Sequence, residues 1–182
     1  MALTLITAAA SLPVSLAAVR AYCRVEDNRF DSVLDPIRKG AIGHIERMLG
    51  RAIGEQTWQL SLTAFSDVIE LQRWPVLNLV EDGFSYIDPD GAPQLVDADT
   101  YTLDALSNPA AIVRNNDARW PQVIDRPNAI TIEFVAGWTE TTLPHDLQIA
   151  VCMIAQAWFD GETGKIPAAA MDLLHAHRVL RI

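Results

Sequence analysis

Basic residues are scarce in this chain: 14 Lys and Arg stand against 23 Asp and Glu, for a formal net charge of −9. No basic run occurs. That argues against a phosphate-gripping surface, because nucleic-acid affinity rests on clustered cations that displace counterions. Cysteine is nearly absent too. Its two copies, Cys23 and Cys152, both fall on apolar helical stripes, which points to two buried thiols and not to a disulfide. Long apolar runs are also missing. The first ten residues are apolar enough to suggest a signal peptide, yet no positive charge precedes them and Arg20 is the first one met. Thr7, Ser11 and Pro13 break the segment before it could span a bilayer. The expectation is a soluble protein made in the cytoplasm, with no membrane partner.

What the chain does have is apolar residue in quantity: half of its 182 positions are hydrophobic, enough for one real core. The organising stretch is 129–160. Ile130, Ile132, Phe134, Ala136 and Trp138 alternate with Thr131, Glu133, Val135 and Gly137, the period of a half-buried strand. A polar turn follows. Pro144 then falls in the first turn of a helix, where its missing N–H costs nothing, and Asp146 sits where the helix dipole favours a carboxylate. Leu147, Ala150, Val151, Ile154, Ala155 and Trp158 share one face of that helix. Ile149, Cys152, Met153, Ala157 and Phe159 make the other face apolar as well, with only Gln148 and Gln156 interrupting, within roughly 80° of each other. Such a helix needs cover on more than one side, and part of that cover is expected from another subunit.

Taken in order, residues 1–14 lack a period and suggest an extended arm. Ser15 is a plausible N-cap for a short helix running to about Val25, with Leu16, Val19 and Cys23 on one face. A longer helical stripe follows, comprising Phe30, Val33, Leu34, Ile37, Ala41, Ile45, Met48 and Leu49, with Gly50 as its stop. Pro36 implies either a kink or a restart capped by Asp35. Gly40 and Gly43 each cost about 1 kcal/mol of helix propensity relative to Ala, which suggests that something packs close to them. From Gln56 to Ala64 the period is two without a fault. Further strands are expected at 68–72 and 76–80, then a hairpin at 84–87 and 94–96 around the type I turn Asp88-Pro89-Asp90-Gly91. Weaker strands fall at 101–106 and 111–114. A loop at 115–128 carries Trp120-Pro121 and Arg126-Pro127. After a loop at 160–164, Ile166-Pro167 reopens a helix with Ala170, Leu173, Leu174 and His177 on one side. The apolar ending Arg178, Val179, Leu180, Arg181 and Ile182 looks like a hook.

The search for chemistry is mostly negative: no Gly-x-Ser-x-Gly elbow, phosphate-binding loop, Cys-x-x-Cys pair or His-Glu-x-x-His helix occurs. His175 and His177 would point about 160° apart on a helix and make a poor metal pair. The Asp88–Asp90 turn with Asp97 and Asp99 resembles a fragment of a calcium loop, but lacks its spaced third ligand and closing Glu. A plain hairpin turn is the simpler reading. Glu133 could act as a general acid or base only with a second positioned carboxylate and a pocket. Trp58, Trp138 and Trp158 belong to apolar faces. Trp74 and Trp120, each followed by Pro in a loop, are the two considered for a surface role. No catalytic, cofactor-binding or metal residue is assigned.

One family shows the same features in the same order. The stretches are 13–25 (PVSLAAVRAYCRV), the helix ending 45–53 (IERMLGRAI), 56–60 (QTWQL), 126–138 (RPNAITIEFVAGW), 143–147 (LPHDL) and 178–181 (RVLR). Together they resemble the head–tail connector, or adaptor, proteins of long-tailed phages and phage-derived gene transfer particles. Pro36 and the two glycines after it fit that pattern less well. The resemblance implies a structural protein without enzymatic activity, located at the head–tail junction of the particle and made in the bacterial cytoplasm. It implies a ring, commonly of about twelve copies, below the portal protein, with a stopper or tail-completion protein docked beneath. DNA would pass through the channel without specific binding, as an acidic wall allows. The portal-directed residues would be Leu174, Arg178, Val179, Leu180, Arg181 and Ile182. Ile149, Met153, Trp74 and Trp120 would lie between subunits.

The expected architecture is α+β: N-terminal helices, central mostly antiparallel strands with a hairpin, a long apolar helix and a C-terminal helix. Residues 1–165 would form one connector domain, and 166–182 a helix and tail for docking. Two readings of other classes stand beside it: a ligand- or carbohydrate-binding module using Trp74 and Trp120, and a hydrolase centred on Glu133 or the Asp88–Asp99 cluster.

Overall fold

Two periodicities, two and 3.6, alternate along the chain, and the backbone follows them. The computed structural model describes residues 1–178. In order these form β1 (Ala2–Thr7), α1 (Leu16–Tyr22), α2 (Asp31–Leu49), β2 (Gln56–Leu62), β3 (Val68–Leu71), β4 (Val76–Ile87), β5 (Pro93–Leu95), a 3-10 turn (Ala98–Thr100), β6 (Tyr101–Asp104), β7 (Ala110–Arg114), β8 (Ile130–Ala136), α3 (His145–Phe159) and α4 (Ala168–His175). Every strand ladder is antiparallel, and the fold is α+β. The chain divides into a sheet unit, Met1–Ala10 with Glu55–Gly137, and a helical unit, Ser11–Gly54 with the chain from Trp138 onward. Sequence alone sets 166–182 apart, whereas α4 packs against α3 inside the helical unit.

The sheet unit holds a five-stranded sheet in the order β1-β2-β8-β4-β5 and a three-stranded sheet in the order β3-β7-β6. β8 is central to the first. Its Ile130, Ile132, Phe134 and Ala136 are fully buried, while Thr131, Glu133 and Val135 are half-buried, as the alternation requires. β2 lies alongside with Leu60 opposite Ile132 and Trp58 opposite Phe134. The alternation of β2 is less clean than its sequence: Leu60 is buried, but Trp58 and Leu62 are only half-buried. The N-terminal residues are not an unpatterned arm. Leu3 and Leu5 alternate with Ala2 and Thr4, and β1 pairs with β2, Leu3 opposite Leu60 and Leu5 opposite Trp58.

The segments expected as two strands at 76–80 and 84–87 are one strand. Leu79 stands opposite Phe134 and the next paired residue, Phe84, stands opposite Ile132, so residues 80–83 bulge past Glu133 alone. Asp82 takes φ 53° at the bulge. A Cβ on Gly83 would lie 2.8 Å from the Val80 carbonyl oxygen, so no other residue fits there without a shift. The hairpin turn forms as expected, with the Gly91 amide donating to the Asp88 carbonyl at 3.0 Å.

In the helical unit, Ser15 caps α1, its Oγ accepting from the Ala18 amide at 3.2 Å. α2 is a single helix that carries Pro36 inside it and ends on Gly50 in the left-handed region at φ 67°, so it does not restart at Asp35. Gly40 does lie under a neighbour: a Cβ there would come within 3.1 Å of the Trp158 ring. Around α3, Leu147, Ala150, Val151, Cys152, Ile154 and Ala155 are buried. α1, α2 and α4 of the same unit supply that cover, so much of what the sequence assigns to a neighbouring subunit is met within the chain. Ile149, 44% exposed, is left outside it.

Candidate interaction surfaces

The residues that the sequence singles out for partner contact fall into three groups. The first surrounds the C-terminal end of the helical unit. Leu174 is fully buried there, so it holds α4 down instead of facing a partner. Arg178 is exposed, and Val179, Leu180, Arg181 and Ile182 lie outside the described residues. Just before Arg178 the chain is pinned twice. His177 Nε2 lies 2.6 Å from Asp146 Oδ2, and the His177 carbonyl accepts from Arg51 Nε at 2.6 Å. Burial works to raise the Asp146 pKa, but the hydrogen bond and charge of His177 outweigh it and hold the carboxyl below its usual range. Burial lowers the Arg51 pKa in turn. Sequence reasoning assigns His177 to a helix face. It lies instead beyond the last residue of α4, and its partner sits on α3, too far away in sequence for any local pattern to reveal.

The second group is the outer face of α3. Ile149 is exposed and Met153 half-buried. Met153 shares the wall of a shallow hollow with Tyr22, Gln156, Ala157, Asp160, Glu162 and Pro167. Cys152, on the buried side, has its thiol pushed up to about 11 by burial and by the nearby Cys23. Both cysteines are free.

The tryptophans form the third group. Trp120 is half-buried, stacked on Phe65 with ring centroids 4.7 Å apart and 6° between planes. Its Nε1 donates to the Ser66 carbonyl at 2.9 Å. One face of the ring is therefore taken and its polar edge satisfied, which fixes the 115–128 loop to the sheet unit and leaves a poor platform for a sugar. Trp74, half-buried, precedes Pro75 through a cis peptide.

The remaining candidates for chemistry have structural work. Asp88 Oδ1 accepts from the amides of Asp90 at 3.0 Å and Ala92 at 2.8 Å, and Oδ2 accepts from Gln94 Nε2 at 3.0 Å. These bonds, that of Ala92 first, lower its pKa, and they spend on the turn the lone pairs a cation would need. Glu133 accepts from Gln59 Nε2 at 3.0 Å, its cross-strand neighbour. Among the described residues no group of three His, Cys, Asp or Glu is placed to hold a metal ion, and no helix is long and apolar enough to cross a membrane.

Solved structures share this fold. A chain of the "Neck of empty GTA particle computed with C6 symmetry" superposes with a TM-score of 0.82 at 24% identity, over 100% of this chain and 97% of that one. A chain of the "Virion of native gene transfer agent (GTA) particle" gives 0.81 at 23% identity over the same shares. A chain of the "Neck of native GTA particle computed with C12 symmetry" gives 0.74 at 24% identity, again over 100% and 97%. No protein-family pattern matches the chain, and no curated protein matches it.

Proposed function

We propose that this protein is a structural subunit of the neck of a phage-like particle of the gene-transfer-agent kind, a head–tail connector that forms a ring below the portal and continues the DNA channel. The observation that carries the reading is the likeness over the whole chain to neck and virion chains of such particles. Rotational symmetry of those necks fits a ring of copies. The polar groups with unusual settings support it too, because Asp88, Glu133 and Asp146 are each engaged in holding the fold together. A net charge of −9 suits a wall past which DNA slides.

In this reading Arg178, Val179, Leu180, Arg181 and Ile182 contact the portal, and His177 anchors the chain just before them. Ile149 and Met153 face a neighbouring subunit, and a stopper or tail-completion protein docks on the far side of the ring. The test is removal of residues 178–182. The shortened protein should keep its circular dichroism spectrum and melting temperature but fail to join the portal in a pull-down. Undiminished attachment would defeat the docking role.

A further inference from the structure

The five-stranded sheet is open at both ends. β1 pairs with β2 on one side, and no strand among the described residues takes its outer edge. At the other end β5 pairs only with Ser85, Tyr86 and Ile87. In the first half of β4, Val76, Asn78 and Leu79 pair with β8 while Leu77 bulges between them, and no strand among the described residues takes the other side. Proteins normally blunt such edges with charge, proline or very short strands, because unpaired N–H and C=O groups recruit another chain. β5 follows that rule, being three residues long and starting with Pro93.

The other two edges use neither charge nor proline, and each is interrupted by a single bulge, at Ile6 and at Leu77. Ala2-Leu3-Thr4-Leu5-Ile6-Thr7 and Val76-Leu77-Asn78-Leu79-Val80 contain no charge, proline or glycine. Leu5, Ile6 and Leu77 stand 42%, 48% and 45% exposed. A bulge at Ile6 confines regular pairing on β1 to its first four residues. The two edges also match in face and direction. Leu3 and Leu5, opposite Leu60 and Trp58, lie on the same side of the sheet as Leu79, opposite Phe134. Thr4, opposite Gln59, and Asn78, opposite Val135, lie on the other side. Three antiparallel steps separate β1 from β4, so the two edges run in opposite senses. Rotation about an axis along the strands keeps those senses, and brings β4 of the next copy antiparallel to β1.

We propose that the subunits of the ring are joined strand to strand, β1 of one copy pairing antiparallel with residues 76–80 of the next. The proposal rests on the ring reading above and names its interface. A closed ring needs two different, mutually complementary patches on each copy, and these edges are such a pair. In the free chain the Asn78 side-chain amide donates to the Leu79 carbonyl at 2.8 Å, capping one acceptor of the stretch until the neighbour arrives.

The test is disulfide trapping on the polar face of the sheet. The full chain is prepared as Thr4→Cys, as Asn78→Cys and as the double variant, and also with Ala2→Cys replacing Thr4→Cys to sample the neighbouring register. Each is oxidised at high concentration, run on a non-reducing gel and imaged by electron microscopy. One double variant should give a ladder of covalent multimers ending in a closed ring, and neither single variant should go beyond a trace of dimer. Leu77→Lys, at an exposed position, should abolish the ring while leaving the thermal melt of the monomer unchanged. Rings that form without cross-linking in either register, or that survive Leu77→Lys, would overturn this interface and leave the ring reading intact. Efficient dimers from Thr4→Cys alone would mean two-fold β1 pairing and would also overturn it. A chain that stays monomeric at every concentration, and with the portal added, would overturn the ring reading together with the interface.

Discussion

Gly40 and Gly43 sit one turn apart on α2, and the same substitution should have opposite effects at the two. Replacing a helix-interior glycine by alanine gains about 0.5–1 kcal/mol by restricting the unfolded chain. At Gly43 the new methyl group meets nothing nearer than Arg47 Nη1 at 3.5 Å, the far end of a flexible side chain, so Gly43→Ala should keep that gain. At Gly40 the methyl group would lie 3.1 Å from Trp158 Cζ3. The indole has little room to retreat: its Nε1 donates to the Lys165 carbonyl at 2.8 Å and its ring stands edge-on to His44 at 5.9 Å. Overpacking of this kind costs about 1–3 kcal/mol, which outweighs the helix gain and leaves Gly40→Ala destabilised by about 1 kcal/mol. The two variants should therefore differ by about 2 kcal/mol in urea denaturation followed by helical circular dichroism, with unchanged m values. Removing the indole with Trp158→Leu should turn Gly40→Ala favourable in that background. Equal stabilisation by both alanines would refute the claim that α2 and α3 meet through this glycine.

Phe134 is fully buried in the central strand, so Phe134→Ala should cost about 3–5 kcal/mol; Ile149→Ala, at an exposed position, should stay within about 0.5 kcal/mol for the monomer, and the two urea midpoints separate these cases. Asp146 titrates below its usual range, so its pairing with His177 contributes above the unfolded carboxyl pKa of about 3.9 and is lost as pH falls through the folded value. Because the carboxylate is 35% exposed, wild type and Asp146→Asn should differ by no more than about 1 kcal/mol near neutrality; urea melts as a function of pH should show the gap closing on acidification, and a gap that persists in acid would contradict the assignment. With its thiol at about 11, Cys152 should resist a thiol reagent at pH 8 until the helical unit unfolds, whereas half-buried Cys23 should react sooner; equal rates in the native protein would argue against the packing of α3.

Much of the α+β layout was legible because its strongest elements announce themselves locally. β8 alternates without interruption, α3 opens behind Pro144 and ends at Asp160, and Asp88-Pro89-Asp90-Gly91 has the composition its turn requires. The failures share a different cause. Glu81-Asp82-Gly83 resembles a turn between two strands, yet β8 pairs on both sides of it, and only that tertiary partner turns the break into a bulge. β1 is short and lies at the chain end, so its period of two is easily passed over. The cover of α3 by three helices of its own unit was likewise invisible, because an apolar surface does not record who buries it. Of the interaction residues, helical spacing put Ile149 on one face with Cys152 and could not tell that Ile149 is exposed and Cys152 buried, and the burial of Leu174 and the anchoring of His177 likewise depend on contacts distant in sequence.

The central claim is most directly tested by electron microscopy of the purified protein mixed with its portal. A ring of copies seated on the portal with matching rotational symmetry is the predicted result. Portals left bare beside a population of single, unassociated chains would contradict it.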